Sequence, residues 1–354
     1  MRHLWNALLL GLPAALASRL LHGPEWLTLL AAALSLLPLA RWIGIGTEHV
    51  AARTGPALGG LLNATFGNAA ELIIALFALR QGLVDLVKAS ITGSIIGNTL
   101  LILGCSALVG GLRHGPQRFD SRSVGRHAAM MILALSAMAL PAVFATVEKR
   151  AFVREEVSVG VSILLLATYF AYIYYSYFSR DARREGKTAG LAHPEAHPER
   201  PAWSVGRSLA VLAAAVVGTA AASELLVHAV EPVSRSLGLS QFFLGLILVP
   251  IVGNVAEHYS AIEFAARNKM ELSLSIAANS STQIAVFVAP LLVLVSLPFR
   301  PMDLIFAPIE LVTLFASSAI FAYVSLDGES NWLEGVQLLA LYLIAAVAFF
   351  FLPG

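Results

Sequence analysis

Eleven long apolar runs divide the chain, at about 4–21, 26–47, 57–79, 84–111, 127–147, 156–178, 204–230, 241–266, 272–297, 303–325 and 332–352. A helix needs roughly 20 apolar residues to cross a bilayer, and each run is near that length. The runs are continuously apolar rather than alternating, which argues against a transmembrane β-barrel. The pattern predicts an all-α polytopic membrane protein with about eleven transmembrane helices. After the second run comes a more polar stretch, Thr47 to Arg53, expected to bend away from the membrane axis. The first run has no clear small-residue cleavage site before the next begins, so it reads as a span and not as a signal peptide.

Composition narrows the class. Hydrophobic residues make up 58% of the chain and charged residues 13%, with mean hydropathy +0.77. A soluble domain carries about 25% charge, so a soluble enzyme is excluded, and the chain is too apolar for disorder. The net charge of +1 supplies no basic field for nucleic acid. The one cysteine, Cys105, cannot form an internal disulfide. With eleven spans, fifteen Lys and Arg fall on the side of the N-terminus and eight on the other. The positive-inside rule then expects a cytoplasmic N-terminus and an external C-terminus, and the expected location is a bacterial plasma membrane.

The one long polar stretch, 180–203, is rich in charge and proline and reads as a cytoplasmic linker. Its His193 and His197 beside Glu195 and Glu199 read first as a solvated tether and second as a metal or pH sensor. On either side of it the chain resembles itself. Gly-Asn-Ala-Ala-Glu (Gly67 to Glu71) has a counterpart in Gly-Asn-Val-Ala-Glu (Gly253 to Glu257). Each is followed by a basic loop and a small, polar mid-span segment, Ser90 to Asn98 and Ser275 to Gln283. Glu71 precedes Asn98 by 27 positions and Glu257 precedes Gln283 by 26. The expected organisation is an N-terminal helix (1–24), a first repeat (25–179, helices two to six), the linker (180–203) and a second repeat (204–354, helices seven to eleven). Five spans is an odd number, so the two repeats enter the membrane from opposite sides. That is the inverted architecture of secondary transporters, whose sites lie at the repeat interface near mid-membrane.

Glu71 lies nine residues before Arg80, and Glu257 ten before Arg267. At about 1.5 Å per helical residue both sit about 14 Å from a charged boundary, close to half of the roughly 30 Å hydrocarbon core. Two midplane carboxylates are tolerable only if they bind a cation or take up protons. Asn68 shares a helix face with Glu71, and Asn254 with Glu257. Ser94 and Asn98, and Asn279 and Gln283, are likewise spaced to share faces. Carboxylates, amides and hydroxyls are hard oxygen ligands suited to Ca²⁺, whereas zinc and copper prefer His and Cys. Glu71 and Glu257 are the expected Ca²⁺ ligands. Protons and Ca²⁺ then compete for the same two carboxylates, which gives exchange, with Ca²⁺ and H⁺ as substrates and no cofactor. His258, next to Glu257, is positioned to relay protons.

The segments Leu61 to Ile73, Glu257-His258 and Ser280 to Pro290 resemble the calcium/proton antiporters, or cation/proton exchangers, of the Ca²⁺/cation antiporter superfamily. The resemblance spans essentially the whole chain. It implies a ten-helix inverted-repeat core with one extra N-terminal helix, Ca²⁺ or another divalent moved against protons, and a homo-oligomer. It also implies Glu71 and Glu257 as central ligands, Asn98 and Gln283 as flanking amides, and His258 and Glu310 as accessory polar residues for a proton relay. Many members carry serine where Gly97 stands and glycine where Asn279 stands, and an acidic helix in the linker. Sodium/calcium exchangers of the superfamily carry a carboxylate in place of Gln283 and serines in place of Asn68 and Asn254, which favours protons here.

Other readings remain at this point. A sodium-coupled Ca²⁺ exchanger is the first alternative. A cation channel is the second, although channels repeat around an axis along the membrane normal. An intramembrane hydrolase lacks its H-E-x-x-H motif, so no enzyme is expected. Asn68, Asn254, Asn98 and Gln283 also fit interhelical hydrogen bonding, and Ser94, Asn279 and Ser280 fit packing.

Overall fold

A computed structural model describes residues 2–54, 59, 62, 65–178 and 203–352. Apart from Trp203, the linker 180–203 with its histidines and glutamates lies outside the described residues. The described residues are almost entirely helical. α1 (Arg2–Ala7) continues through a 3₁₀ turn into α2 (Gly11–Leu20), followed by α3 (Glu25–Thr54) and α4 (Ala69–Arg80). α5 (Val84–Ile96) passes through a π-helical segment, Gly97–Ile102, into α6 (Leu103–His114). α7 (Ser121–Val147) and α8 (Ala151–Phe178) complete the first half. The second half opens with α9 (Val205–Leu237), α10 (Gln241–Gly253) and α11 (Val255–Ala266). α12 (Met270–Gln283) passes through a second π-helical segment, Ile284–Val288, into α13 (Ala289–Ser296), and α14 (Pro308–Val324) and α15 (Trp332–Phe350) end the chain. A two-residue antiparallel pairing, Gln117 with Ser330 and Arg118 with Glu329, ties the loop after α6 to the loop before α15.

Among the described residues seven helices are long and apolar enough to cross a membrane, or eight if the bent pair α10–α11 is one span. The expected eleven also counted the runs 4–21, 57–79 and 303–325. There the described helices are shorter: α2, α4 and the 17-residue α14. The polar stretch Thr47 to Arg53 does not leave the helix, because α3 runs on to Thr54. Thr47 turns its hydroxyl back onto the Ile43 carbonyl at 2.8 Å, which satisfies it without water.

Leu133, Leu164, Val217, Leu343 and Ile344 point outward and are exposed, as lipid-facing side chains are. Lipid gives helices no hydrophobic reason to associate, so close backbone packing has to hold them. Gly93 on α5 and Gly245 on α10 provide it reciprocally. A Cβ on Gly93 would lie 2.0 Å from the Leu246 carbonyl oxygen, and one on Gly245 2.6 Å from that of Leu86. The two helices that contain the π segments, Val84–His114 and Met270–Ser296, are the most buried of the spans. Each is entered by a tight turn with a left-handed residue, Gly82 (φ 81°) and Asn268 (φ 61°). Both turn residues follow their glutamate by 11 positions.

Candidate functional site

Both glutamates stand at helix breaks. Asn68 (φ −99°, ψ 20°) and Asn254 (φ −95°, ψ 15°) leave helical geometry, and a helix restarts at the next residue. At Asn254 the axis bends by 63°. The Pro250 oxygen at the end of α10 accepts twice from Asn254, from its backbone N–H at 3.0 Å and from its side-chain amide at 3.1 Å. Glu71 and Glu257 are each the third residue of the restarted helix, so the positive N-terminal ends of α4 and α11 lie beside them.

The two halves interlock through amides and hydroxyls. Asn68 Nδ2 donates to Gln283 Oε1 at 2.7 Å. Asn254 Nδ2 donates to Ser94 Oγ at 3.0 Å, and Asn98 Nδ2 donates to Ser280 Oγ at 2.9 Å. Ser280 Oγ in turn donates to Asn254 Oδ1 at 3.4 Å. The π segments account for part of this placement. Asn98 sits within the first and Gln283 directly before the second, and a π turn re-aims side chains relative to a regular helix.

The carboxylates are treated differently. Glu71 is buried, and neither of its oxygens has a hydrogen-bond partner. It packs against Gly253, where a Cβ would lie 3.2 Å from its carboxyl carbon, and Glu257 is near enough for the two to interact electrostatically. Glu257 lines a cavity of about 220 Å³, whose wall also includes Trp5, Arg41, Glu48, Ser260 and Glu263. Among the described residues no three or more His, Cys, Asp or Glu side chains converge closely enough to hold a metal ion by themselves. The oxygens available to a cation are therefore two carboxylates with amides and hydroxyls around them.

Most of the expected residues meet at this centre: Glu71, Glu257, Asn68, Asn254, Asn98, Gln283 and Ser94. Asn279 instead lines a second, small cavity of about 10 Å³ with His127, Tyr169, Thr282 and Gln283. His258 is buried with its Nε2 unpartnered. Glu310 is buried and held at both oxygens, by the Thr92 hydroxyl at 2.7 Å and the Ala307 N–H at 2.8 Å. Sequence reasoning gave Ser280 only a packing role and missed Thr92 and His127. For Ser280 the signal was present, since Ser94 follows Glu71 by 23 positions and Ser280 follows Glu257 by 23.

A family model described as sodium/calcium exchanger protein matches the chain twice, at residues 24–178 and 207–351. This chain belongs to that exchanger family. Its curated relatives include a Ca(2+)/H(+) antiporter of Aphanothece halophytica, 43% identical, with 98% of this chain and 96% of the relative covered. The Ca(2+)/H(+) antiporter ChaA of Bacillus subtilis is 40% identical, with 97% of each covered. Among solved structures, the selenium-substituted Ca²⁺/H⁺ antiporter protein YfkE superposes on this exchanger with a TM-score of 0.84. It is 38% identical and covers 99% of this chain and 100% of that one.

Proposed function

We propose that this exchanger is an integral membrane antiporter that moves Ca²⁺ against H⁺ by alternating access, with Glu71 and Glu257 carrying either ion in turn. The observation that carries the reading is the pair itself. Two interacting carboxylates meet where the halves interlock, and the oxygens of one have no protein hydrogen-bond partner. Ionised together in an apolar interior they would repel at high cost. A divalent cation or protons removes that cost, and neither can leave until the other arrives. Asn68, Asn98, Asn254, Gln283, Ser94 and Ser280 supply or orient the neutral oxygens that complete a Ca²⁺ shell, and Asn279 supports Gln283 from the small cavity that both line. His258 and Glu310 serve as accessory proton carriers. The 40–43% identity to antiporters of Ca²⁺ and H⁺ favours protons over sodium as the driving ion.

The same reading has eleven spans, an N-terminal helix and two inverted five-helix repeats. The family model supports it by matching once in each half. The N-terminus is cytoplasmic, the C-terminus external, and the protein works as a homo-oligomer without catalysing a chemical reaction.

Proteoliposomes with pH and sodium gradients imposed separately test the function. A pH gradient drives ⁴⁵Ca²⁺ uptake and a sodium gradient at clamped pH does not. Glu71→Gln and Glu257→Gln each abolish uptake. Uptake that survives both substitutions, or that follows sodium, overturns the reading.

A further inference from the structure

One polar cluster outside the candidate ion site also joins the halves. Lys88 on α5 is largely buried, with 13% of its side chain exposed. Its Nζ pairs with Asp303 Oδ1 and donates to the Ile305 carbonyl at 3.0 Å. One turn further along α5, Thr92 donates to Glu310, so both contacts lie on one helix face. All the partners belong to the segment before and into α14. That segment alternates in burial: Met302, Leu304 and Phe306 are buried, while Asp303 and Ile305 are partly exposed. It is anchored at its sides, since the Leu304 N–H donates to Ser158 Oγ at 3.1 Å and the Met302 N–H to Ser296 Oγ at 2.9 Å. The Arg300 guanidinium lies against the Gly82 turn at the start of α5.

None of the cluster lines the 220 Å³ cavity. The cavity residues Ser260 and Glu263 lie between Glu257 and the Asn268 turn, whereas Lys88 lies beside the Gly82 turn. Under the inverted-repeat reading those two turns face opposite sides of the membrane. At the Asn268 turn Gln117 Nε2 donates to the Ala265 carbonyl at 2.9 Å and to Asn268 Oδ1 at 3.0 Å, and Arg267 pairs with Glu263 on its own helix.

We propose that Lys88, Asp303, Thr92 and Glu310 form a latch that seals the end of the molecule away from the cavity, and that its release opens that end during exchange. The inference rests on the alternating-access reading. A buried lysine at a membrane-spanning helix is costly unless paired, so separating Lys88 from Asp303 requires water to reach both. A charged latch is therefore firm when dry and weak once wetted, as a two-state closure requires. Loss of the pair removes an interaction made only in the cavity-open state and shifts the population toward the opposite-facing one.

The test uses the full chain with Cys105→Ser and with Ser260→Cys on the cavity wall, labelled by a maleimide in vesicles. Lys88→Met and Asp303→Asn are each expected to slow labelling by about threefold or more, and the exchanged pair Lys88→Asp with Asp303→Lys to restore it. Single variants that label like the parent, or an exchanged pair as slow as the singles, overturn the latch. Should the single variants fail to fold, Lys88→Cys with Asp303→Cys on the Cys105→Ser chain replaces them, bridged by a short bis-methanethiosulfonate reagent. Bridging is expected to stop Ca²⁺/H⁺ exchange reversibly on reduction, and exchange that continues when bridged overturns the proposal. Exchange by the parent, run in parallel, separates failure of the latch from failure of the antiport reading, because labelling does not depend on which ions are coupled.

Discussion

Gly253 and Glu71 are packed so closely that even a methyl group on the glycine would have to displace the carboxylate side chain. A Cβ on Gly253 would lie 3.0 Å from Glu71 Cγ and 3.4 Å from its Oε1. The glycine comes from one half and the carboxylate from the other, directly at the break before α11. Gly253 is helical, so it is needed for the space and not for its backbone angles.

Gly253→Ala is therefore expected to fold and to bind Ca²⁺ poorly. The clash is a few tenths of an ångström against a flexible side chain, which yields more readily than backbone. The stability cost stays near about 1 kcal/mol, at the low end for overpacking. A displaced carboxylate spoils a coordination shell that tolerates only about 0.5 Å of error. The expected outcome is a near-parental melting temperature with the apparent KM for ⁴⁵Ca²⁺ raised about tenfold or more. An unchanged KM would show that Glu71 can move without consequence.

Ser280 and its neighbour Asn279 offer a sharper comparison. Ser280 accepts from Asn98 and donates to Asn254, so Ser280→Ala leaves two buried amides short of a partner. That costs about 1–3 kcal/mol in stability and loosens both amides at the ion site. Asn279→Ala instead removes a side chain from the lining of the small cavity that Gln283 shares. Ser280→Ala is expected to reduce exchange by the larger factor in vesicle uptake measured side by side, and the reverse order would place the site on the other face of α12.

Which parts of this were readable in the sequence follows from the physics of each. Apolar runs expose helices because lipid admits little else, and the paired Gly-Asn-x-x-Glu segments expose the carboxylates because charge is scarce there. The shift from Asn279 to Ser280 was hidden by reading four-residue helical spacing back from Gln283, when the repeat offset of 23 positions pointed to Ser280. The π segments have no compositional mark, so the aim of Asn98 and Gln283 could not be read from spacing. Thr92 with Glu310 and Lys88 with Asp303 join residues more than 200 positions apart, and only the three-dimensional packing of α5 against the segment before α14 brings them together.

Acid dependence can be predicted outside the membrane. In the turn between α7 and α8, Arg150 binds Glu148 through Nε at 3.0 Å, Nη2 at 2.7 Å and its backbone N–H at 2.8 Å. These contacts hold the Glu148 carboxyl at about 2, below its ordinary 4.5. A carboxyl depressed by folding stabilises the folded state above the ordinary value, and that contribution is lost as the pH falls toward the depressed one. The melting difference between the parent and Glu148→Gln is thus expected to be steady above about pH 5 and to vanish toward pH 2. It should also shrink in high salt, because the Arg150 side of the pair is open to solvent. A difference that grows on acidification would contradict the contact.

Gly93 and Gly97 lie one turn apart, both buried, and should respond oppositely to the same substitution. A Cβ on Gly93 meets the Leu246 carbonyl at 2.0 Å and Pro250 Cγ at 2.7 Å, whereas one on Gly97 meets nothing within 4 Å. Backbone cannot yield as a side chain does, so Gly93→Ala forces α5 away from α10. The expected loss is about 1–3 kcal/mol or more, read as a lower melting temperature in detergent. Gly97→Ala adds a methyl to open space and reduces the freedom of the unfolded chain, so its melting temperature should hold or rise, with a gain of up to about 1 kcal/mol. Equal destabilisation by the two would mean that the space beside Gly97 is closed in the working protein, and that the first π segment packs differently from the arrangement described.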